Sequence, residues 1–291
     1  MNFLPPFQTD KYLKEVSTFG IGGLARLFIE VSEIEQMKSI LAYSKENSIP
    51  FFILGKGSNC LFDDRGFDGL VIQNKISYLK IVECGIEVGA GYSFSMLGLK
   101  TAKQGLSGLE FASGIPATVG GAIFMNAGAN GRETSETLLE VSFVDEEGIL
   151  HIWTKKELQF AYRFSSFHKK KGAIVSAKFL LVPSKEARSK QFSIIKYRKE
   201  TQPYNELSIG CFFKNPSEGS AGALIEKAGL KGFSLGGAEV SSKHANFIVN
   251  KQDAKAKDVL TLAKQVQEKV KESMGIELEM EVRCIPYQIR T

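Results

Sequence analysis

The chain has 291 residues, 43% hydrophobic and 24% charged, ordinary globular composition at a length that suggests two domains or three small ones. Its net charge of +5 suits an anionic ligand but is too small to argue for nucleic acid, and the Lys169-Lys170-Lys171 block reads as a solvated loop. Apolar runs such as Phe51-Phe52-Ile53-Leu54 are strand-length, far short of the roughly 20 residues that span a bilayer. Met1-Asn2-Phe3-Leu4-Pro5-Pro6 lacks the basic-then-apolar order of a secretory signal. Cys60, Cys84, Cys211 and Cys284 are scattered without a CxxC pair, and His151, His168 and His244 make no HExxH. Reduced thiols, no metal site and a cytoplasmic address are expected.

In chain order, residues 27–31 read as a strand. A capping box, Ser32 with Glu35, then opens a helix carrying Ile34, Met37, Ile40 and Leu41 at helical spacing, ended by Pro50. Residues 51–54 and 70–72 read as buried strands, 84–88 as another, and 94–104 as a helix stopped by Gly105. Residues 139–144 and 151–154 flank the turn Asp145-Glu146-Glu147-Gly148 as a hairpin, and 174–182 is a further strand. Pro183-Ser184-Lys185 is the linker candidate. Beyond it come a polar helix near 186–200, a small-residue helix near 220–228 and a strand at 246–249. Next is an amphipathic helix with Val259, Leu262, Ala263, Val266 and Val270 on one stripe and Gly275 as its cap. Strict alternation predicts a last strand over 277–285, with Glu277, Glu279, Glu281 and Arg283 sharing a face. The mixture predicts an α+β fold.

Five segments could carry chemistry. Gly55-Lys56-Gly57-Ser58-Asn59 follows a buried strand, where glycines let backbone N–H groups approach a phosphate. It is neither a P-loop nor a full Rossmann fingerprint, and a plain tight turn is the competing reading. The stretch from Gly114 to Gly128 is so rich in small residues that a flat ligand could pack against its backbone; closely packed glycine turns are the alternative. Arg163, flanked by Tyr162 and Phe164, could bind an anion or anchor an interface. Cys211, beside Phe212 and Phe213, reads from composition alone as core filler. Glu281 lies in a row that is usually solvated.

In their order and spacing these segments resemble the UDP-N-acetylenolpyruvoylglucosamine reductase family over roughly residues 15–285. Thr18-Phe19-Gly20-Ile21-Gly22-Gly23-Leu24-Ala25, Gln202-Pro203 and His244-Ala245-Asn246-Phe247-Ile248-Val249-Asn250 share in the resemblance. It implies an FAD-binding region of the vanillyl-alcohol-oxidase type, built of two α+β subdomains (1–80 and 81–184), and a C-terminal α+β substrate domain (185–291). By the resemblance, Gly55, Lys56, Gly57, Ser58 and Asn59 hold the FAD pyrophosphate. Gly114, Ile115, Pro116, Thr118, Gly120, Gly121, Ala122, Asn126, Ala127 and Gly128 line the flavin. Arg163, Cys211 and Glu281 are catalytic: Arg163 stabilises an enolate, Cys211 supplies a proton, and Glu281 orients the substrate carboxylate or, if protonated, donates to it. Tyr162, Arg198, Lys199, Lys214, Asn215, His244 and Asn246 are expected on a UDP-sugar.

The implied enzyme binds FAD noncovalently, uses NADPH and acts as a monomer without nucleic acid or membrane partners. Three departures stand out. Cys211 occupies a position where many relatives have serine, but a thiol is the stronger acid. Ala117 replaces a frequent glycine. The interval from Arg163 to Cys211 is too short for the tyrosine-bearing insertion of one branch, so the chain resembles the other branch. Another FAD oxidoreductase of the superfamily is one alternative, weakened because no histidine for covalent attachment lies within residues 1–150. A flavin-free UDP-sugar-binding protein is the other, and it would have no use for the glycine-rich segments.

Overall fold

A computed structural model describes residues 6–83 and 85–287. Cys84 and most of the N-terminal segment considered for a signal, residues 1–5, lie outside the described residues. The chain forms two compact units. The first contains Phe28–Lys56 and Gly69–Arg198 with the N-terminal residues to Gln8; the second contains Thr9–Leu27, Gly57–Asp68 and Lys199–Thr291.

The first unit is built on a five-stranded antiparallel sheet, ordered Leu150–Thr154, Leu138–Asp145, Gly172–Phe179, Gly85–Gly89 and Leu79–Val82. Because side chains alternate across a strand, one row crosses all five: Trp153, Val141, Ala177, Val88 and Leu79. That row packs in one core with Phe94 and Leu97 of the helix Phe94–Lys103 and with Val119, Ala122 and Ile123 of the short helix Val119–Phe124. The sheet face therefore fixes where the small-residue stretch begins. A smaller sheet pairs Phe51–Leu54 in parallel with Phe67–Asn74, the latter also flanked by Ala25–Val31. The helix Ile34–Glu46 buries Met37, Ile40 and Leu41, as its spacing predicts.

The capping box expected at Ser32 and Glu35 is not formed. Gln36 Oε1 accepts the Ser32 N–H, while Glu35 pairs with Lys38. A helix that starts at Ile34 puts Glu35 too early to reach back, and one residue later the geometry works. The linker expected at 183–185 is also structured: Val182–Pro183 pairs with Leu106–Ser107, and the Ser184 N–H donates to Gly105 O. Proline is tolerated there because the pairing is a two-stranded edge.

The second unit has a four-stranded antiparallel sheet ordered Leu207–Cys211, Phe247–Asn250, Ala238–Val240 and Ser234–Leu235. The helix Ala256–Met274 shares a core with this sheet through Val259, Leu262, Ala263, Val266 and Val270, the predicted stripe, all fully buried. Asp64 Oδ1 accepts the Ala256 N–H at 2.8 Å, so a carboxylate faces the positive end of the helix dipole. Gly275, at φ +72°, caps the other end. The last strand is much shorter than alternation predicts. Only Arg283–Ile285 is strand, paired in parallel with Cys60–Phe62, and a single bridge joins Met280 to Phe213. Leu278, Val282 and Ile285 are the buried positions: the odd step from Val282 to Ile285 breaks the alternation at the bend at Val282, and Glu281 is half-buried where Glu277 and Glu279 are exposed.

Among the described residues no helix is long and apolar enough to cross a membrane, and no cluster of His, Cys, Asp or Glu could hold a metal ion.

Candidate functional site

In the first unit, the expected flavin-lining residues and Arg163 come together. Thr118 caps the helix Val119–Phe124 by accepting the Gly121 N–H, and Gly120 donates to Ala90 O at 2.8 Å. A Cβ on Gly120 would stand 3.0 Å from that of Ala90, and one on Gly55 would stand 2.5 Å from Thr118 Oγ1. Glycine is required for the close approach at Gly55, and at Gly120 a side chain would fit only if Ala90 gave way. Lys56 Nζ donates to Ser93 Oγ at 3.4 Å. Gly114 adopts φ +85°; its N–H donates to Ser95 Oγ, and its carbonyl accepts from Arg198 Nη2 at 3.1 Å. Ile115 is half-buried, Pro116 exposed and Ala122 buried.

Arg163 sits at φ +56° in the turn of a hairpin, Phe160–Ala161 with Phe164–Ser165. Its guanidinium lies 4.9 Å from the Tyr162 ring centroid and donates to Gly128 O at 3.2 Å. The hairpin is tied to the small-residue stretch at two further points: Ser165 Oγ donates to Phe124 O, and Asn126 Nδ2 donates to Ala161 O. The Ala127 carbonyl accepts from the Thr134 N–H and hydroxyl.

The second unit joins Cys211, Glu281 and Asn59. Cys211 ends the strand Leu207–Cys211 after a register shift, opposite Phe247, with Gly210 at φ +83° just before it. The Phe212 N–H donates to Asn246 O at 2.7 Å, and the Phe212 carbonyl accepts the Glu281 N–H at 2.9 Å. The residue after Cys211 is thus bonded directly to Glu281. Asn59 completes the arrangement: its side chain donates to Glu281 O at 3.3 Å and its carbonyl accepts the Arg283 N–H. Cys60, next to it, is pushed up to about 11 by burial, against the opposing pull of the Arg283 charge, and stays a thiol at neutral pH.

The expected substrate residues are spread more widely. Asn215 Oδ1 accepts the Ala221 N–H at the start of the helix Ala221–Lys227. His244 Nδ1 accepts the Asn246 N–H, and its ring stands edge-on to Phe247. Lys214 pairs with Glu279 at 2.6 Å, and the Lys199 carbonyl accepts from Lys243. Asn246 is buried with its amide turned onto Phe213 at both ends, donating to O at 2.8 Å and accepting from N–H at 2.9 Å. That side chain is committed to shaping the turn beside Cys211.

Each unit holds features that suit a flavin nucleotide. The N–H groups of Gly57 and Ser58 donate to no described group, as an anion-binding turn requires. A Cβ on Gly57 would stand 2.5 Å from Val16 O, and its φ is +63°. Within the first unit, the Ser113 hydroxyl and Gln73 Oε1 are buried without a hydrogen-bond partner among the described residues. Buried polar atoms of this kind are usually satisfied by water or ligand.

Comparison with known proteins agrees with this geometry. Residues 25–153 match an FAD binding domain profile, and residues 202–285 match the C-terminal domain of UDP-N-acetylenolpyruvoylglucosamine reductase. The reductase of Protochlamydia amoebophila is 60% identical over 284 residues, covering 97% of this chain and 95% of its own. The chain belongs to the UDP-N-acetylenolpyruvoylglucosamine reductase family. A second member, from Chlamydia muridarum, is 47% identical over 95% of this chain and 93% of its own. The crystal structure of the family's Thermus caldophilus member superposes with a TM-score of 0.83 at 36% identity, over 96% of this chain and all of that one. Family membership makes this chain an FAD-dependent oxidoreductase of α+β architecture.

Residue reasoning missed the anchoring asparagines. Asn126 and Asn246 were expected on ligands only through the family resemblance, and their side-chain bonds to Ala161 and to Phe213 had no residue-level signal read for them. The signal that could have found Asn126 is its place in a run of small residues, where one large polar side chain must find partners outside the run.

Proposed function

We propose that this chain reduces UDP-N-acetylenolpyruvoylglucosamine to UDP-N-acetylmuramate with noncovalent FAD and NADPH, a step of peptidoglycan precursor synthesis. Bound FAD would supply hydride transfer from NADPH to the terminal vinyl carbon. The side chains manage the charge and the proton. Hydride addition leaves negative charge on the adjacent carbon, spread into the carboxylate as an enolate. Arg163 stabilises that charge, since a guanidinium stays protonated throughout and its contact gains strength as charge develops. Cys211 delivers the proton to the carbon as the enolate collapses. Glu281 orients the substrate carboxylate, while Tyr162, Asn215 and His244 hold the UDP-sugar.

Arg198, Lys199 and Lys214 are the cations assigned to the diphosphate; Lys214 must exchange Glu279 for it. The protein works as a cytoplasmic monomer.

One observation carries this reading: the hydrogen bond from the Glu281 N–H to the Phe212 carbonyl, which brings two of the three catalytic residues onto adjoining segments. The test separates the half-reactions by anaerobic stopped-flow. Cys211→Ala should leave flavin reduction by NADPH near wild type and slow reoxidation by substrate by about 10²–10⁴-fold, the range for losing a positioned general acid. Cys211→Ser should recover much of the loss. Near-normal reoxidation in the alanine variant would rule Cys211 out as proton donor.

A further inference from the structure

Asn126 has an unusual set of partners for a residue in a stretch expected to line a cofactor. It is fully buried, and all its side-chain hydrogen-bonding directions point into the protein. Nδ2 donates to Glu133 Oε2 at 2.8 Å and to the Ala161 carbonyl at 3.0 Å, and Oδ1 accepts the Ser135 N–H at 3.0 Å. Both amide protons are used, so the side chain has no donor left for a ligand. The backbone at Asn126 is left-handed, φ +43°, a conformation that asparagine tolerates better than most residues.

The partner that matters is Ala161. It ends the first strand of the hairpin whose turn is Tyr162-Arg163, and Arg163 also holds a left-handed backbone, φ +56°. A long, charged residue in that region is strained and keeps its place only if the surroundings hold it. Three of the contacts that do so are Asn126 to Ala161 on one side of the turn, Ser165 to Phe124 on the other, and Arg163 itself to Gly128. Only the first comes from a buried side chain that belongs to neither strand of the hairpin. We infer that Asn126 is a positioning residue that fixes the Tyr162-Arg163 turn, and with it the aim of the Arg163 guanidinium, without touching cofactor or substrate through its side chain. This inference rests on the catalytic reading of Arg163.

Asn126→Gly is the variant of choice, because glycine accepts φ +43° without strain; the change removes the contact to Ala161 together with those to Glu133 and Ser135, which lie outside the hairpin. Hydrogen exchange of the holoenzyme, resolved by mass spectrometry, should quicken in the peptide spanning 159–166. Flavin reduction by NADPH should stay within about threefold of wild type, whereas reoxidation by substrate should slow by about 10- to 100-fold, as expected for a misaimed catalytic group. In an Arg163→Ala background the same change should slow reoxidation less than about threefold, since there is no guanidinium left to misplace. Melting temperature should fall equally in both backgrounds, which separates aim from stability. Unchanged exchange in the hairpin peptide, or equal slowing in both backgrounds, overturns the inference. Faster exchange in Asn126→Gly together with normal reoxidation in Arg163→Ala would support the anchoring and refute the catalytic role of Arg163 instead.

Discussion

Removing the Asn246 side chain should loosen the turn beside Cys211 by a calculable amount. Asn246 is buried, and its amide closes two hydrogen bonds on Phe213, itself buried. Asn246→Ala deletes both and leaves the Phe213 N–H and carbonyl without partners in a dry setting. Each stranded group costs about 1–3 kcal/mol, so the pair costs about 3 kcal/mol after partial relaxation. That is about a 10²-fold change in the local opening equilibrium. The neighbouring bond from the Phe212 N–H to Asn246 O is a backbone contact and survives the substitution. Amide-resolved native-state hydrogen exchange should therefore show Phe213 losing about two orders of magnitude of protection, with Phe212 much less affected. The Phe212 carbonyl also holds the Glu281 N–H, so the disturbance should reach catalysis: reoxidation by substrate falls and flavin reduction by NADPH does not. Unchanged protection at Phe213 would refute the reasoning outright. Loss of protection at both phenylalanines would show that the whole strand end has melted and that the side-chain amide was not the specific clamp.

Glu110 and Gly57 give two further expected outcomes. Glu110 is buried, which pushes its carboxyl up, but the Ser107 hydroxyl and the Gly108 N–H, each at 2.7 Å, outweigh burial and hold it below the usual range. Its folded pKa is below its unfolded one, so its stabilisation is complete above about pH 4.3 and is lost as pH falls through the folded value; urea midpoints between about pH 5 and 3 should fall less steeply in Glu110→Gln, and parallel curves would contradict this. Gly57→Ala combines a φ of +63° with a Cβ placed 2.5 Å from Val16 O, so it should strain the turn by about 1–3 kcal/mol and lower the FAD content of purified protein, and full flavin occupancy would remove this turn from the cofactor site.

Where one segment carried its own periodic pattern, the fold was legible from residues alone. The stripe on Ala256–Met274 is set by helical spacing, and the hairpin of Leu138–Asp145 with Leu150–Thr154 by the turn between its strands, each against the core of its own unit. Pairings between distant segments were not legible. The parallel ladder of Arg283–Ile285 with Cys60–Phe62 has no sequence signal, because a three-residue strand is too short for a pattern. The same ladder lets Asn59 reach Glu281 across 222 residues. Alternation over 277–285 misled for a physical reason: polar and apolar residues also alternate along an extended segment that bends. Arg163, Cys211 and Glu281 stood out only through family resemblance, since an arginine between aromatics or a cysteine beside phenylalanines is compatible with a core.

Each proposed catalytic residue sits where a regular ladder fails. Arg163 occupies a hairpin turn, Cys211 comes after a register shift, and Glu281 precedes the bend at Val282. These are the places where side chains leave the alternation of a sheet and where backbone groups lose their ladder partners. In all three cases an asparagine amide contacts the exposed backbone: Asn126 at Ala161, Asn246 at Phe213 and Asn59 at Glu281. A primary amide suits that task because it carries both donor and acceptor on a short side chain, and so can stand in for a missing strand residue. Aspartate would lose the donor that all three contacts use. It would also place negative charge beside residues proposed to bind a carboxylate and a diphosphate, where like charges oppose binding. Glutamine keeps the chemistry but has one more rotor to immobilise, at a cost in side-chain entropy. Neutral amides thus hold the segments that carry the three proposed catalytic residues.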